Sequence, residues 1–271
     1  MNLSEFTNYH QTRKKIVIQG LGFVGSVMAI VCANSKSEDY AVIGVEQDNH
    51  HGNKIIKKLN NGIFPLEADD PKIELFFQQT IREKNFFATN DVNAYKFADI
   101  IIVDINLDVE KENNFDGTLA NFNVNLSSFK NAINTIGLNC KEDCTILVET
   151  TVPPGTCENI VKPIIFKSFV KRNLPINKIK IGHSYERVMP GPNYIDSIQN
   201  FYRVYSGIDK KSADAVEEFL KTIISTKKYP LTRLENTNST ELAKVLENSY
   251  RAMNIAFMVE WTKFSEITRA N

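Results

Sequence analysis

The stretch KIVIQGLGFVG, residues 15–25, decides the fold. Its first part is a short apolar run typical of a buried strand, and a stretch with helical periodicity follows it, FVGSVMAIVCANS at 23–35. The glycines between them form the pattern G-x-G-x-x-G. The first allows a tight turn, the second lets the backbone approach a pyrophosphate, and the third lets the helix pack closely on the strand. The motif predicts a dinucleotide site formed by Gly20, Gly22, Phe23, Val24 and Gly25.

Apolar strands alternate with helical patterns along the rest of the chain. Such strands, separated by helices, predict a parallel sheet covered on both faces, and right-handed crossovers then give an α/β, doubly wound, Rossmann-like fold. The further predicted strands are 41–46, 86–89, 98–105, 143–152, 178–184, 203–207 and 227–232. The further predicted helices are 49–62, 71–85, 119–138, about 156–171, 210–225 and about 238–268.

The last predicted helix marks a change of domain. It contains neither glycine nor proline, begins behind the capping residues Asn236, Asn238 and Ser239, and reaches the end of the sequence without a C-cap glycine. We therefore expect an extension at 1–14, a dinucleotide-binding domain at 15–234, and the start of a truncated central helical domain at 235–271. An apolar stripe on this helix predicts a homodimer, with packing on the chain's own domain as the alternative. The stripe consists of Leu242, Leu246, Met253, Phe257 and Trp261.

Composition narrows the class of protein. The 32 basic residues balance the 32 acidic ones, which gives no electrostatic reason to expect a nucleic acid or an acidic membrane as partner. The sequence lacks the ~20-residue apolar run that spans a bilayer, and its polar beginning does not resemble a signal peptide, so we expect a cytoplasmic protein. Neither the four cysteines nor the four histidines have the spacing of metal ligands, and no metal site is predicted.

The second strand indicates which dinucleotide is bound. It ends at Glu46, 26 residues after Gly20, with Asp48 as an alternative acid two residues on. A carboxylate at this position accepts hydrogen bonds from the adenosine ribose and repels a 2′-phosphate, which favours NAD over NADP. A solvated strand end without a ligand is the alternative interpretation of Glu46.

Candidate reactive groups follow later strands and lie on the last helix. Thr151, in ETTVPPGT, comes at the carboxyl edge of the sheet, where ligands bind in open α/β folds; a simple strand-to-helix turn capped by Thr156 is the alternative. Glu186, beside Arg187, is a candidate base or water-positioning group, with a surface ion pair as the alternative. Lys244 lies in an apolar run and shares a helix face with Asn248, so it is a candidate buried amine that polarises an alkoxide; a solvated lysine is the alternative.

Taken together, these motifs resemble the UDP-glucose/GDP-mannose dehydrogenase family. The resemblance rests on GLGFVG, LNNG-x-x-P, ETTVPPGT, YERVMPG and ELAKVLENSYRAMNIAFMVE, and extends from about residue 15 to 271. It implies NAD-dependent oxidation of the C6 hydroxyl of a UDP-sugar to a carboxylate, in polysaccharide precursor synthesis. It also implies roles for single residues: Thr151 beside the reacting centre, Glu186 in hydrolysis of a covalent intermediate, and Lys244 with Asn248 around the C6 oxygen and a water. The form YERVMPG is closer to the branch that acts on N-acetylated UDP-sugars.

The sequence also departs from the family pattern. The loop G-x-G-G-x-C-x-x-K-D, which carries the family's nucleophilic cysteine, and the C-terminal nucleotide-binding domain are missing, and VDIN at 103–106 stands where many members have VPTP. Oxidation of an aldehyde to an acid proceeds through a thiohemiacetal, so this chain alone is expected to lack the full four-electron activity. Two alternatives stay open: a catalytically incomplete NAD-binding or assembly module, and a hydroxy-acid dehydrogenase of the 6-phosphogluconate type.

Overall fold

The computed structural model describes residues 1–107, 109–188 and 191–270, so Met189 and Pro190 of the YERVMPG segment lie outside the described residues. In the first half of the chain the elements are α1 (Leu3–Tyr9), β1 (Lys14–Gln19), α2 (Phe23–Ala33), β2 (Tyr40–Val45), α3 (His50–Asn60), α4 (Pro71–Glu83), β3 (Phe86–Thr89), a 3₁₀ turn (Val92–Phe97), β4 (Ile100–Val103), β5 (Val109–Asn113) and β6 (Leu119–Val124). In the second half they are α5 (Ser127–Asn139), β7 (Thr145–Val148), a π-helical turn (Cys157–Val161), α6 (Lys162–Lys171), β8 (Lys180–His183), α7 (Tyr194–Gln199), β9 (Val204–Gly207), α8 (Lys210–Ile223), β10 (Thr232–Arg233) and α9 (Thr237–Thr268).

The main sheet is the doubly wound sheet that the sequence predicts. Its strand order in the described residues is β10-β9-β8-β7-β4-β1-β2-β3, and the pairs from β3 to β8 are parallel. β9 then runs antiparallel to β8 and parallel to β10 at the edge. The strand order reverses between β1 and β4, and ligands of open α/β folds bind at such a reversal, outside the carboxyl ends of the strands.

Two apolar cores cover the two faces of this sheet. Because side chains alternate along a strand, Ile16 and Ile18 of β1 pack against α2, α4, α7 and α8, whereas Val17 packs on the opposite face with α5 and α6. All three side chains are completely buried. This double burial explains why the strands have continuous apolar sequences.

The N-terminal segment, predicted as an extension, packs on the sheet. Helix α1 begins with a capping box between Asn2 and Glu5, and the Phe6 ring is fully buried 5.7 Å from the Phe87 ring. Strand β1 begins at Lys14, one residue before the predicted start.

Two predicted elements were wrong in their extent. Residues 119–124, predicted as helix, form β6 in an exposed antiparallel hairpin with β5, and the helix begins only at Ser127. Polar and apolar residues alternate in NFNV at 121–124, and this period of two favours a strand over a helix. The last strand is Thr232–Arg233 rather than 227–232, because Pro230 lacks the N–H that a ladder needs.

The final helix is docked at its beginning only. The side chain of Asn236 caps it by accepting a hydrogen bond from the Ser239 N–H at 2.9 Å, as the sequence predicts. Its buried residues all lie in the first eight positions, Thr237, Thr240, Glu241 and Lys244. The predicted apolar stripe is 43–64% exposed, so in the described chain it does not pack on the chain's own domain.

Candidate functional site

The glycine turn has the geometry that its sequence predicts. Gly20 adopts φ +96°, and a Cβ there would lie 2.5 Å from the Asp104 carbonyl oxygen. A Cβ on Gly25 would lie 2.0 Å from the Gly20 carbonyl oxygen, so only glycine lets α2 approach the turn this closely. In contrast, a Cβ on Gly22 would meet nothing within 4 Å. This open position is at the N-cap of α2, where free N–H groups and the helix dipole favour a phosphate.

The turn borders a cavity at the carboxyl ends of β1, β2, β4 and β7. Its volume is about 840 Å³, which fits the size of a site for a large cofactor. One end is lined by Glu46 and Asn49 and the other by Thr151 and Glu186. Phe23 and Val24 also line it, and the Phe23 carbonyl accepts a hydrogen bond from the Tyr194 hydroxyl at 2.6 Å. All the predicted cofactor residues except the buried Gly25 therefore lie around one cavity.

Glu46 is tied to the glycine turn itself. Its two carboxylate oxygens accept hydrogen bonds from the backbone N–H groups of Leu21 at 2.7 Å and Gln47 at 2.8 Å. Each oxygen keeps a second lone pair, so a ribose hydroxyl has an acceptor here. The carboxylate is thus held beside the glycine turn, at one end of the cavity.

The two threonines after β7 have different environments. The Thr150 hydroxyl is buried, donating to the Val103 carbonyl at 3.0 Å and accepting from the Ile105 N–H at 2.9 Å. Thr151 is exposed and lines the cavity. Thr150 therefore holds the loop after β4 in place, and Thr151 is the hydroxyl available to a ligand.

Glu186 and Lys244 come together although 58 positions separate them in sequence. The Lys244 ammonium donates to the Glu186 carbonyl at 2.9 Å and lies 3.5 Å from the Glu186 carboxylate. It is buried, with Nζ 5.1 Å from the centre of the Tyr185 ring. Asn248 lies one turn further along α9, exposed, and accepts a hydrogen bond from Arg251 at 3.3 Å. The structure therefore gathers Thr151, Glu186 and Lys244 at one edge and leaves Asn248 on the adjoining open helix surface.

Arg187 does not form the ion pair with Glu186 that their adjacency in the sequence suggests. Arg187 pairs with Glu247 at 3.0 Å rather than with the adjacent Glu186. The predicted helical pair Glu247–Arg251 is longer, at 3.7 Å. Glu186 instead contacts Lys244, accepts a hydrogen bond from the Val188 N–H, and lines the cavity.

Glu241 anchors α9 to the site, a role that sequence reasoning missed. Its carboxylate is fully buried and accepts hydrogen bonds from the N–H groups of Gly155 at 2.5 Å and Cys157 at 2.8 Å. These N–H groups belong to the loop and turn after Thr151. This contact fixes the distance between the Thr151 loop and the helix that carries Lys244.

Sequence reasoning also missed a buried charge cluster beneath the cavity. Arg203 and Glu149 form an ion pair at 2.9 Å, with side chains 4% and 0% exposed. Burial raises the pKa of Glu149 to about 7, although the Arg203 guanidinium opposes the shift. The Asp104 carboxyl also lines the cavity, and burial and the Glu149 charge raise its pKa well above the usual range. A charged residue directly after an apolar strand was the available signal for both acids.

His183, fully buried at the end of β8, is a structural residue. Its Nδ1 lies 2.9 Å from the Thr240 hydroxyl of α9, and burial lowers its pKa to about 3. The ring therefore stays neutral at neutral pH and links the sheet to the final helix.

Fold and cavity together define a dinucleotide-binding domain of the Rossmann class. A sequence model of the UDP-glucose/GDP-mannose dehydrogenase family, NAD binding domain, matches residues 14–224. The chain belongs to this family and contains its NAD-binding domain. This membership favours the resemblance to UDP-glucose/GDP-mannose dehydrogenases over the alternative of a 6-phosphogluconate-type hydroxy-acid dehydrogenase.

Named relatives agree with this assignment. The UDP-N-acetyl-D-mannosamine dehydrogenase of Methanococcus vannielii is 30% identical over 256 residues, covering 94% of this chain and 52% of that protein. The UDP-N-acetyl-D-glucosamine 6-dehydrogenase of Salmonella typhi is 26% identical, covering 91% and 51%. Among solved structures, an NDP-N-acetyl-D-galactosaminuronic acid dehydrogenase from Methanosarcina mazei Go1 has a TM-score of 0.76 at 22% identity, covering 97% of this chain and 52% of that one. The chain thus spans about half the length of these relatives.

Two kinds of site are absent from residues 1–107, 109–188 and 191–270. Within these ranges no helix combines the length and the apolar character that crossing a bilayer requires. Nor do three or more histidine, cysteine, aspartate or glutamate side chains there form a group able to hold a metal ion.

The buried ion pair yields a stability prediction. In Arg203→Met the Glu149 carboxyl loses its cationic partner, so we expect the free energy of unfolding to fall by about 3–5 kcal/mol. A carboxyl with a raised native pKa binds more protons in the folded than in the unfolded state. The loss should therefore be smaller below pH 7 and larger above it. Urea unfolding followed by circular dichroism on either side of this pH measures both effects.

The double variant Arg203→Met/Glu149→Gln is the control, because it removes the unpaired charge together with its partner. It should recover most of the stability that Arg203→Met loses, and the added pH dependence should disappear. An equal loss in the single and double variants would contradict the assignment.

Proposed function

We propose that the chain carries the NAD site and part of the sugar-oxidising site of a UDP-sugar 6-dehydrogenase. The single observation behind this proposal is that the cavity at the glycine turn is continuous with Thr151 and Glu186, and that Lys244 is buried against Glu186. Family membership and the names of the relatives support the class of substrate. Residues 15–234 would be the NAD-binding unit and 235–271 the start of a separate helical domain.

The reaction proposed for these residues is the first oxidation. The C6 alcohol loses a hydride to NAD and a proton to a base, which gives the aldehyde, NADH and a proton. The buried Lys244 ammonium stabilises the negative charge that develops on the C6 oxygen. Glu186 accepts a proton or orients a water, and Thr151 donates a hydrogen bond at the nicotinamide end. Asn248 is proposed as a second ligand of the C6 oxygen or a water.

The second oxidation needs a thiol that these residues do not place in the cavity. All four cysteines, Cys32, Cys140, Cys144 and Cys157, are buried, and none lines the cavity. Burial also raises the pKa of the Cys32 and Cys157 thiols, which disfavours the reactive thiolate. We propose that the complete four-electron reaction requires a cysteine outside this chain.

A turnover assay tests the function. The chain is incubated with NAD and N-acetylated UDP-sugars, and NADH absorbance and sugar products are followed. We expect one NADH per sugar and an aldehyde product. Lys244→Ala should lower the rate by about 10²–10³-fold because it removes charge stabilisation at the C6 oxygen.

Lys263→Ala, on the exposed part of the same helix, is the matched control and should keep the parent rate. Two NADH per sugar with a uronate product would contradict the thiol argument. NAD binding without any NADH formation would favour the alternative of a non-catalytic NAD-binding module.

The identity of the nicotinamide cofactor is tested at Glu46. Its carboxylate should prefer NAD, because it accepts from the ribose hydroxyls and repels a 2′-phosphate. In Glu46→Ala we expect NAD affinity to fall about 10- to 100-fold, the value of one or two hydrogen bonds to a charged group. Isothermal titration calorimetry with NAD and NADP measures the preference.

Glu46→Gln separates charge from hydrogen bonding, because it keeps one acceptor oxygen for the glycine turn. It should relax the discrimination against NADP while weakening NAD less than Glu46→Ala does. A parent chain that binds NADP more tightly than NAD would overturn the assignment.

We also propose that a second copy of the chain covers the apolar stripe of α9, forming a homodimer. Leu246, Met253, Phe257 and Trp261 recur at intervals of four and seven on one face, and each is more than half exposed. Phe257→Glu should give monomers in sedimentation velocity, whereas Lys263→Glu should leave the dimer intact. Monomers in the parent at tens of micromolar would count against the proposal. The cytoplasmic location stays a prediction.

A further inference from the structure

Two acidic residues lie side by side where strands β4 and β7 end. Val103 pairs with Val148 in the parallel ladder, so the following residues, Asp104 and Glu149, are direct neighbours. The ladder continues through them, because the Asp104 N–H donates to Gln19 at 2.9 Å and the Glu149 N–H donates to Val103 at 3.1 Å. Since side chains alternate along a strand, both carboxyls point to the face opposite the two valines, from backbones about 5 Å apart.

Both carboxyls are incompletely bonded, and the two residues differ in exposure: Glu149 is buried and Asp104 is half-buried. The Glu149 side chain is fully buried; one of its oxygens accepts from Arg203, and in the described residues the other has no hydrogen-bond partner. Within the same residues, Asp104 Oδ2 is also buried without a partner. Both residues line the cavity. Buried acceptors without partners are rare and indicate a missing ligand, water or proton.

The charges around this pair do not balance. Three carboxyls interact here, those of Asp104, Glu149 and Glu186. Only two cationic side chains, Arg203 and Lys244, form ion pairs with them. Arg203 pairs with Glu149 and Lys244 pairs with Glu186, which leaves Asp104 without a cationic side chain of its own. Cys32 of α2 and Tyr194 of α7 also interact with the pair, and burial raises the pKa of both, so that they stay neutral at neutral pH. His183 of β8 lies near Arg203 and Lys244 and is neutral as well, because burial lowers its pKa to about 3.

The position of the pair corresponds to one part of the cofactor. A dinucleotide that crosses the glycine turn with its adenosine ribose at Glu46 directs its other half toward the ends of β4 and β7. The oxidised nicotinamide ring in that half carries a positive charge, and the reduced ring carries none. The cavity therefore has one unmatched acid where the bound cofactor has one unmatched cation.

We propose that Asp104 is the counter-ion of the oxidised nicotinamide ring and that it holds a proton, shared with Glu149, until that ring binds. This proposal rests on the proposed NAD-dependent function and adds a specificity-determining residue to it. Without cofactor, two like charges cannot both ionise beside each other under burial, so one proton stays on the pair. Binding of the cationic ring favours the charged form of Asp104, and the proton leaves to solvent.

The direction of the resulting pH dependence is fixed by this exchange. Affinity for NAD⁺ should rise with pH, by up to about tenfold per pH unit for one released proton, and level off above the pKa of the free pair. Affinity for NADH should not change with pH, because its ring is neutral. Both cofactors carry the same pyrophosphate. A difference between the pH dependence of NAD⁺ affinity and that of NADH affinity therefore reports on the charge of the nicotinamide ring alone.

Calorimetry on the unmodified chain gives the first test. NAD⁺ and NADH are titrated separately in MOPS and in Tris, whose ionisation enthalpies differ, and the difference in heat counts the protons released. We expect proton release with NAD⁺ and none with NADH. Equal release with both cofactors, or none with either, would overturn the proposal and leave NAD binding intact.

The isosteric variant Asp104→Asn gives the second test. It should abolish proton release and lower NAD⁺ affinity at pH 8 about tenfold, with NADH affinity within about twofold of the parent. Asp116→Asn, in the exposed hairpin, is the matched control and should behave as the parent. Proton release that persists in Asp104→Asn would overturn the assignment to Asp104. If neither cofactor bound the parent chain, the proposed function would fail, and this proposal with it.

Discussion

The close approach of α2 to the end of β1 is the constraint on which the rest of the structure depends. A single methyl group on Gly25 would lie 2.0 Å from the Gly20 carbonyl oxygen, so this packing exists only because no side chain is present. It sets the N-terminus of α2 over the point where the strand order reverses, and it leaves Gly22 open toward the cavity. The Leu21 N–H then meets the Glu46 carboxylate, which joins the turn to β2. The geometry of the turn follows from three positions without side chains.

The opposite end of the cavity depends on buried charge rather than on close packing. Arg203, Glu149, Lys244 and Glu241 are all almost completely buried, a costly arrangement unless each charge has partners. Glu241 meets this requirement with two backbone N–H groups, and Lys244 meets it with Glu186. The incomplete bonding of Asp104 and Glu149 stands out against this background. Such local departures from full satisfaction are typical of functional sites, where a ligand supplies the missing interaction.

The first two turns of α9 hold the helix to the sheet, and the rest of the helix is exposed. Glu241 fixes them to the loop after Thr151, and Thr240 fixes them to His183. The position of Lys244 relative to the Thr151 loop therefore depends on these contacts.

The sequence alone determined the glycine turn, the acid at Glu46, the alternation of strands and helices in the main sheet, and the family, because these depend on local backbone conformation and on hydrophobic periodicity. Prediction from sequence was less reliable where the hydrophobic periodicity was ambiguous, as at 119–124. It also missed that Phe6, in an otherwise polar N-terminal segment, is buried against the sheet. Only the tertiary structure decided that Lys244 meets Glu186, that Arg187 turns away to Glu247, and that Asp104 lies beside Glu149. These contacts join residues 45–60 positions apart through strand register and helix docking, and no local pattern specifies either.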